Sequence, residues 1–415
     1  MSQTELFASP PVPPTPDRQA GLDRLKAFTP LMGRRYATQR NFDFGPEDRS
    51  NISVLSAHVR HRLVLESELA QAALNAHGLQ TAEKFIQEVC WRTYWKGWLE
   101  LRPTRWSEYK AELSQALDAL GEDEALRRRY EAARDGLTGL ECFDAWAGEL
   151  IQTGYLHNHA RMWFASIWIY TLELPWVLGA DLFLRHLIDG DPASNTLSWR
   201  WVGGLQTVGK TYLARASNIE KYTGGRFTPD AGALAQEAPP LEASLEHPAP
   251  QTLAAGEAPD PDAPTLVWLH EEDLHAESWA ADRLDVRAVV YQAEPLARGA
   301  LALGECAARF TQQALLDGAQ RAGAHFGRTA QAAPDIEAVI DTARTLGAKQ
   351  VVTQRSAVGP GQDQMAGYRA ALAQADLTLC EMQRPWDAAF FPYATKGFFK
   401  FKTAIPAVFD QLHLS

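Results

Sequence analysis

The sequence predicts two domains of different fold class: an α-helical domain followed by a Rossmann-like α/β domain with a parallel sheet. Up to Phe227, apolar residues recur at helical spacing and strand-like alternation is scarce. Residues 228–264 then contain many Pro, Ala and acidic residues and no Phe, Trp or Tyr. After this break, short apolar runs alternate with helical patterns, which is typical of parallel strands joined by crossover helices.

These changes of pattern divide the 415 residues into four segments. Residues 1–20 are Pro-rich and lack the basic and apolar regions of a signal peptide, so we expect a disordered tail. The helical domain should cover residues 21–228, and residues 229–264 should form a linker. The α/β domain, with a C-terminal docking segment, should cover residues 265–415.

Composition favours a globular protein without a membrane span. The apolar fraction is 46%, and no apolar run reaches the roughly 20 residues that cross a bilayer. The four cysteines are far apart, so we expect reduced core residues and a cytoplasmic location. The net charge of −11 is unfavourable for binding nucleic acid, because phosphates attract clustered Lys and Arg; the first hundred residues are nevertheless rich in arginine.

The first helices of the chain carry two unusual features. A serine-rich segment around Ser53 and Ser56 precedes an amphipathic helix, which suits anion binding at a helix N-terminus; N-capping by either serine is the alternative. A helix over 81–101 places several tryptophans on one face, and Glu88 and Arg92 add charges that a plain core would avoid. The charged residues 107–134 predict a surface helical pair.

The most unusual stretch is 153–201, which contains five tryptophans and an Asp-Gly-Asp turn. Tryptophan needs an N–H partner when buried, so ordinary domains rarely concentrate it in this way. Arg161, Asp189 and Asp191 lie among these apolar residues, where unpaired charges would be costly. These charges must pair with one another or hold a polar ligand. We interpret the stretch as the wall of an aromatic-lined cofactor site.

In the second domain, strands are expected at 265–270, 286–293, 349–354 and 377–382. Helices near 301–323, 335–347 and 364–375 should lie between the later strands. No Gly-rich dinucleotide fingerprint follows the first strand, and no P-loop motif is present. Residues 359–361, Gly-Pro-Gly, are interpreted as a loop rather than a phosphate cradle.

Five motifs between residues 33 and 228 are distinctive as a set: YATQR, SVLS, EVCWRTYW, TGYLHNHARM and LIDGDPASNTLSWRW. In sequence and order they resemble the FAD-binding helical domain of the DNA photolyase and cryptochrome family. The segment TLVWLHEEDLHAES is similar to the opening strand of that family's antenna domain. In the family the antenna domain comes first, so the domain order of this chain looks permuted.

The resemblance implies that FAD is the cofactor. It places Tyr36 and the 53–56 loop at the phosphates and ribitol, and Asn195 opposite flavin N5. A buried structural ion-pair network is the alternative explanation of these charges, and the linked motifs argue against it. No motif specific to a folate or deazaflavin is present, so a second, antenna chromophore stays unassigned. The implied FAD contacts are Tyr36, Ser53, Val54, Leu55, Ser56, Arg92, Asn158, Arg161, Asp189, Asp191 and Asn195.

The resemblance also implies repair of cyclobutane pyrimidine dimers in UV-damaged DNA, with light-excited reduced FAD giving an electron to the dimer. Trp91 and Trp201 would form flat walls for the two thymines, and Glu88 would bond to a base edge. The implied substrate contacts are Arg40, Glu88, Trp91, Asn158, Met162 and Trp201. The implied catalytic residues are Glu88, Asn195 and two electron-transfer tryptophans, Trp199 and Trp176.

The chain departs from the family pattern in three places. His159 stands where the family often has an arginine, which removes a positive charge from the lesion site. Asn158 stands where the (6-4) class tends to have histidine, which argues against that activity. The third electron-transfer position falls near Leu120, and Trp106, Trp163 and Trp168 are all candidates to replace it or are simply core. The alternative function is therefore a cryptochrome-like blue-light sensor or redox flavoprotein without repair activity. Oligomeric state is not predicted.

Overall fold

The computed structural model describes residues 14–241, 247–279 and 283–414. Residues 1–13 of the expected tail and residues 242–246 of the expected linker lie outside the described residues. The first helix begins at Arg18, three residues before the helical domain was expected to begin. The carboxylate of Asp17 caps it by accepting the N–H of Ala20 at 2.7 Å.

Within the described residues up to 241, regular structure is helical, as the sequence predicts. The helices are α1 (Arg18–Phe28), α2 (Arg34–Gln39), α3 (Ser56–Arg60), α4 (Glu66–Thr81), α5 (Glu83–Glu100), α6 (Thr104–Glu122), α7 (Glu124–Arg134), α8 (Glu141–Thr153), α9 (Asn158–Ser166), α10 (Trp176–His186), α11 (Pro192–Val202) and α12 (Ala216–Tyr222). The predicted pair over 107–134 corresponds to α6 and α7, which Asp123 separates and caps.

The aromatic stretch 153–201 forms three helical pieces with identifiable boundaries. His157 caps the start of α9, and a π-helical turn (Ile167–Thr171) follows its end. Pro175 precedes α10, whose residues are almost all buried. The carboxylate of Asp191 caps α11, and Pro192 occupies its first position, where a missing N–H is tolerated.

The second domain contains one parallel five-stranded sheet in the order β3-β2-β1-β4-β5. Its elements are β1 (Thr265–Leu269), β2 (Val286–Gln292), α13 (Glu305–Phe326), β3 (Ala330–Ala333), α14 (Ile336–Thr345), β4 (Gln350–Gln354), α15 (Pro360–Gln374) and β5 (Thr378–Met382). The predicted fold class, a helical domain plus an α/β domain with a parallel sheet, is confirmed.

One strand escaped prediction, and its sequence explains why. β3 reads AQAA, which has low strand propensity and little apolar character. It pairs only with β2, at the edge of the sheet, where few side chains need to be buried. Position in the sheet, rather than local sequence, therefore makes it a strand.

The C-terminal segment folds back onto the helical domain. It forms α16 (Pro385–Phe390), α17 (Phe398–Phe401) and α18 (Ile405–Gln411), and the first two pack on α5. The indole N–H of Trp386 donates to the hydroxyl of Thr93 on α5 at 2.9 Å. The described part of the linker is also held: the N–H of Gln251 donates to the carbonyl of Leu101 at 2.7 Å.

The cysteines are free and buried, as expected from their spacing. Within the described ranges, the helices are all too short or too polar to cross a membrane. The same ranges contain no cluster of three or more His, Cys, Asp or Glu side chains arranged to hold a metal ion.

Candidate functional site

Two adjoining cavities open between the helices of the first domain. The central cavity has a volume of about 420 Å³ and lies between α5, α9, α10 and α11. The side cavity, of about 270 Å³, lies between the 52–56 loop and residues 155–162. Four residues line both cavities and so join them into one site: Arg40, Glu88, Asn158 and Met162.

The predicted site residues meet in this pair of cavities, with one exception. The side cavity contains Tyr36 and the loop residues Ser53, Val54, Leu55 and Ser56. The central cavity contains the other implied FAD contacts, all implied substrate contacts and Trp199. Trp176 lines neither cavity.

Arg161 and Asp189 form an ion pair on the wall of the central cavity, which is one of the two arrangements that the sequence left open. One guanidinium nitrogen of Arg161 donates to both carboxylate oxygens of Asp189 at 3.0 Å. Burial opposes ionisation of Asp189, but Arg161 and a hydrogen bond from Ser56 outweigh it and hold the pKa of this carboxyl below its usual range. Asp189 therefore stays charged on the wall of the central cavity.

A second acidic residue, Asp191, is compensated by cations from α5. Its carboxylate lies 3.3 Å from Arg92 and 4.0 Å from Lys96, and it accepts the N–H of Ser194 at 2.7 Å. Burial again opposes ionisation, but Arg92, Lys96 and Arg60 keep the pKa of Asp191 well below its ordinary value. Arg92 thus pairs across helices with Asp191 rather than with Glu88 on its own helix.

Several polar atoms of the cavity-lining residues have no protein partner. Buried without a hydrogen bond are Arg92 Nε, Trp95 Nε1, Ser194 Oγ and Trp199 Nε1. A buried donor without an acceptor costs roughly 1–3 kcal/mol. Such donors fit a ligand with ring nitrogens and carbonyl oxygens, and the isoalloxazine of FAD offers both.

The 53–56 loop has a strained backbone that the protein holds in place. Val54 has a φ of +54°, which a β-branched residue rarely adopts. Arg24 fixes the loop by donating to the carbonyls of Ile52 and Ser53 at 2.7 and 2.8 Å. N-capping by Ser53 or Ser56 is not what the loop does, because the residue before α3 is Leu55 and it makes no side-chain cap. The side chain of Ser56 instead helps to lower the pKa of Asp189.

The rim shared by the two cavities carries the Arg40–Glu88 ion pair. Burial raises the pKa of Glu88, although Arg40 opposes the shift. Trp91 and Trp201 line the central cavity, and both are only partly buried. The ring of Trp201 packs 5.8 Å from the ring of Tyr212. The entrance of the site therefore combines two flat indoles with one ion pair.

His159 does not replace the charge of the arginine that the family often has at its position. Its ring stacks on Trp163 at 4.1 Å and its Nδ1 lies 2.9 Å from the carbonyl of Asn41. Burial lowers the pKa of His159, so the neutral ring is favoured. The loss of a positive charge at this position, which the sequence indicates, is therefore also found in the structure.

Among the described residues, the ring neighbours of Trp199 are Phe164, Trp168 and Phe183, and Trp176 is not one of them. The Trp168 and Trp199 rings are 6.2 Å apart, and Tyr130 lies 6.0 Å from Trp168. Trp176 instead packs 5.9 Å from Tyr109. Trp168 is thus the tryptophan whose ring contacts Trp199. The spacing of residues along the motif did not predict this contact.

Comparison with known proteins points to one family. Residues 85–232 match the family model described as the FAD binding domain of DNA photolyase. The deoxyribodipyrimidine photo-lyase of Streptomyces griseus is 36% identical over 156 residues, 37% of this chain and 32% of that protein. A protein of the same name from Thermus thermophilus is 33% identical over 234 residues, 54% of this chain and 51% of that protein.

Solved structures of the same kind are also similar. The bacterial class III photolyase from Agrobacterium tumefaciens is 25% identical, with a TM-score of 0.38, covering 50% of this chain and 43% of that chain. The chain spans about half, or less, of the length of the relatives it matches.

Proposed function

We propose that this chain belongs to the DNA photolyase and cryptochrome family and is a light-driven FAD enzyme that repairs cyclobutane pyrimidine dimers in UV-damaged DNA. One observation carries the proposal. A single site combines compensated buried charges and unpartnered donors with an entrance formed by Trp91, Trp201 and the Arg40–Glu88 pair.

The inner part of the site fits FAD. The Arg161–Asp189 pair, Arg92 and Asn195 would surround the isoalloxazine, and the amide of Asn195 is fixed by its bond to the carbonyl of Ala180 at 2.7 Å. The 53–56 loop and Tyr36 would take the phosphates and ribitol. Reduced FAD, when bound, supplies a light-driven electron for opening the dimer.

The outer part of the site fits a flipped pyrimidine dimer. Trp91 and Trp201 provide flat apolar surfaces for the two bases, and Met162 lies on the wall that joins the two cavities. Glu88, which pairs with Arg40 and lines the central cavity, would hydrogen-bond to a base edge. Electrons that reach the site through the protein would pass between Trp168 and Trp199, because the rings of these two residues are in contact. The ring of Trp176 does not contact Trp199.

The test is repair by the full chain loaded with reduced FAD. We expect blue light, and not darkness, to restore thymine dimers in an oligonucleotide. Trp201→Ala should retain the flavin absorption but lose affinity for the damaged strand; Leu137→Ala, at a site that is 75% exposed, is the control. A yellow protein that restores no dimers in single- or double-stranded DNA would leave a blue-light sensor as the function.

We also propose a cytoplasmic location, which the four free cysteines support.

A further inference from the structure

We infer that the exposed face of the C-terminal segment Lys396–Lys402 is a second contact for the damaged DNA strand, beside the entrance of the central cavity. In this inference, which rests on the proposed function, Phe399 stacks on a base that flanks the lesion. Lys396 and Lys400 bind the backbone phosphates on either side. The ligand is the nucleic acid strand itself rather than a further small molecule.

The segment is anchored on the cavity wall. The ring of Phe398, which is buried, lies 4.0 Å from the indole of Trp91 between centroids, and Trp91 lines the central cavity. Phe398 also packs 5.6 Å from Tyr94 and 5.9 Å from Phe401. The segment therefore lies directly beside Trp91, against which the proposed function places the dimer.

The side chain of Phe399 faces solvent instead of Trp91. It is 79% exposed, whereas Phe398 and Phe401 on either side are 6% and 0% exposed. One exposed apolar side chain is ordinary on a protein surface. The setting of Phe399 is unusual, because lysines flank it on both sides in the sequence. Nucleic acid bases stack on such an aromatic ring with roughly 1–3 kcal/mol per base.

The lysines of the segment are available to phosphates. Lys396 and Lys400 are exposed, and no ion pair involves either of them within the described residues. Lys402 lies 3.9 Å from Glu83 and 5.8 Å from the centroid of Phe399, so the nearby carboxylate already has a cation. The net charge of −11 opposes the binding of nucleic acid, but these lysines provide a local positive charge beside the cavity entrance that attracts phosphates.

The proposal is tested by binding of a thymine-dimer oligonucleotide to the flavin-loaded full chain over a range of salt concentrations. Phe399→Ala should weaken binding about tenfold, and Phe399→Tyr should restore it, because only the ring face is needed. With a single-stranded oligonucleotide, the double variant Lys396→Ala/Lys400→Ala should make the slope of log K against log salt less steep by about 1.4, since each lost phosphate contact contributes about 0.7. Lys349→Ala, an exposed lysine in the α/β domain, is the matched control.

The outcomes separate the two proposals. If the wild type repairs dimers and the segment variants bind with its affinity and salt slope, the segment is not a DNA contact and the proposed function stands. If the wild type neither binds nor repairs damaged DNA, both proposals fail. If Phe399→Ala disrupts a complex of two copies of the chain instead of weakening DNA binding, the exposed face of Lys396–Lys402 joins those two copies and the inference is overturned. Unchanged flavin absorption in each variant shows that its fold is intact.

Discussion

At the scale of single residues, the site is built from buried charges that are compensated in pairs. Asp189 has Arg161, and Asp191 has Arg92 and Lys96. Removing one member of such a pair leaves the other buried and uncompensated, which costs more than the pair itself contributes. The first pairing is one of the two arrangements that the sequence left open. The second joins residues 99 positions apart, and only the crossing of α5 and α11 brings them together.

His157 illustrates how one residue is held in a single protonation state. Its Nδ1 accepts the N–H of His159 at 3.1 Å, so Nε2 carries the proton that bonds to the carbonyl of Arg40 at 3.0 Å. Burial lowers the pKa of His157 to about 4, with His159 and Arg161 adding to the effect and Asp43 opposing it. Protonation at Nδ1 would remove the cap of α9.

We predict that His157 makes the free energy of unfolding depend on pH. Because its pKa is lowered on folding, its contribution is complete above the ordinary value of about 6.5 and is lost as the pH falls toward about 4. His157→Asn keeps a capping side chain but does not titrate. Between pH 7.5 and pH 5, the wild type should lose roughly 2 kcal/mol more than the variant in urea unfolding. Parallel pH profiles would contradict this assignment.

At the scale of elements, α10 and α11 approach closely because a glycine faces the aromatic wall. A Cβ at Gly179 would lie 2.2 Å from Trp199 Cη2 and 3.0 Å from Trp168 Cε2. Both indoles are buried and cannot move aside without opening the core. The contact between the two helices therefore sets the position of Trp199 on the cavity wall.

We predict that Gly179→Ala destabilises the protein by about 1–3 kcal/mol, the usual effect of overpacking a core. It should also lower the fraction of protein purified with flavin, because Trp199 is displaced into the cavity. The control is Gly148→Ala in the middle of α8, where the nearest atom would be 3.9 Å away. That change should stabilise the protein by about 0.5–1 kcal/mol through helix propensity. Equal effects of the two substitutions would refute the packing argument.

At the scale of the whole molecule, residues of the α/β domain form hydrogen bonds that hold the site in place. Arg60 donates to the carbonyl of Gly190 at 2.9 Å and to Glu272, which follows β1, at 2.6 Å. Arg298, in the loop after β2, donates to the carbonyls of Leu184 and Leu187 at 3.1 and 2.8 Å. The turn that carries Asp189 and Asp191 is therefore held by residues of both domains.

We predict that Arg298→Met lowers the free energy of unfolding by about 3–5 kcal/mol, because it removes a cation beside the buried Glu271 and one hydrogen-bond donor from each of two carbonyls. Flavin retention, measured by dialysis and absorption, should fall with it. Arg287→Met is the matched control, since the Arg287–Asp285 pair is nearly half exposed and should be worth less than about 1 kcal/mol. Full flavin retention in Arg298→Met would show that the domains act independently.

The sequence by itself determined the fold class and most of the membership of the site. Helical periodicity, the change of pattern at residue 228 and the short apolar strands are local signals, so they can be interpreted without coordinates. The π-helical turn escaped prediction, and so did β3, which depends on its place at the sheet edge.

Only the tertiary structure decided which side chains meet across helices. It paired Arg92 with Asp191, set Trp168 rather than Trp176 against Trp199, and placed Phe398 behind Trp91. These contacts join residues far apart in the chain, and their geometry depends on the crossing angles of packed helices and on the docking of the second domain. Neither quantity is encoded in the spacing of residues along one helix.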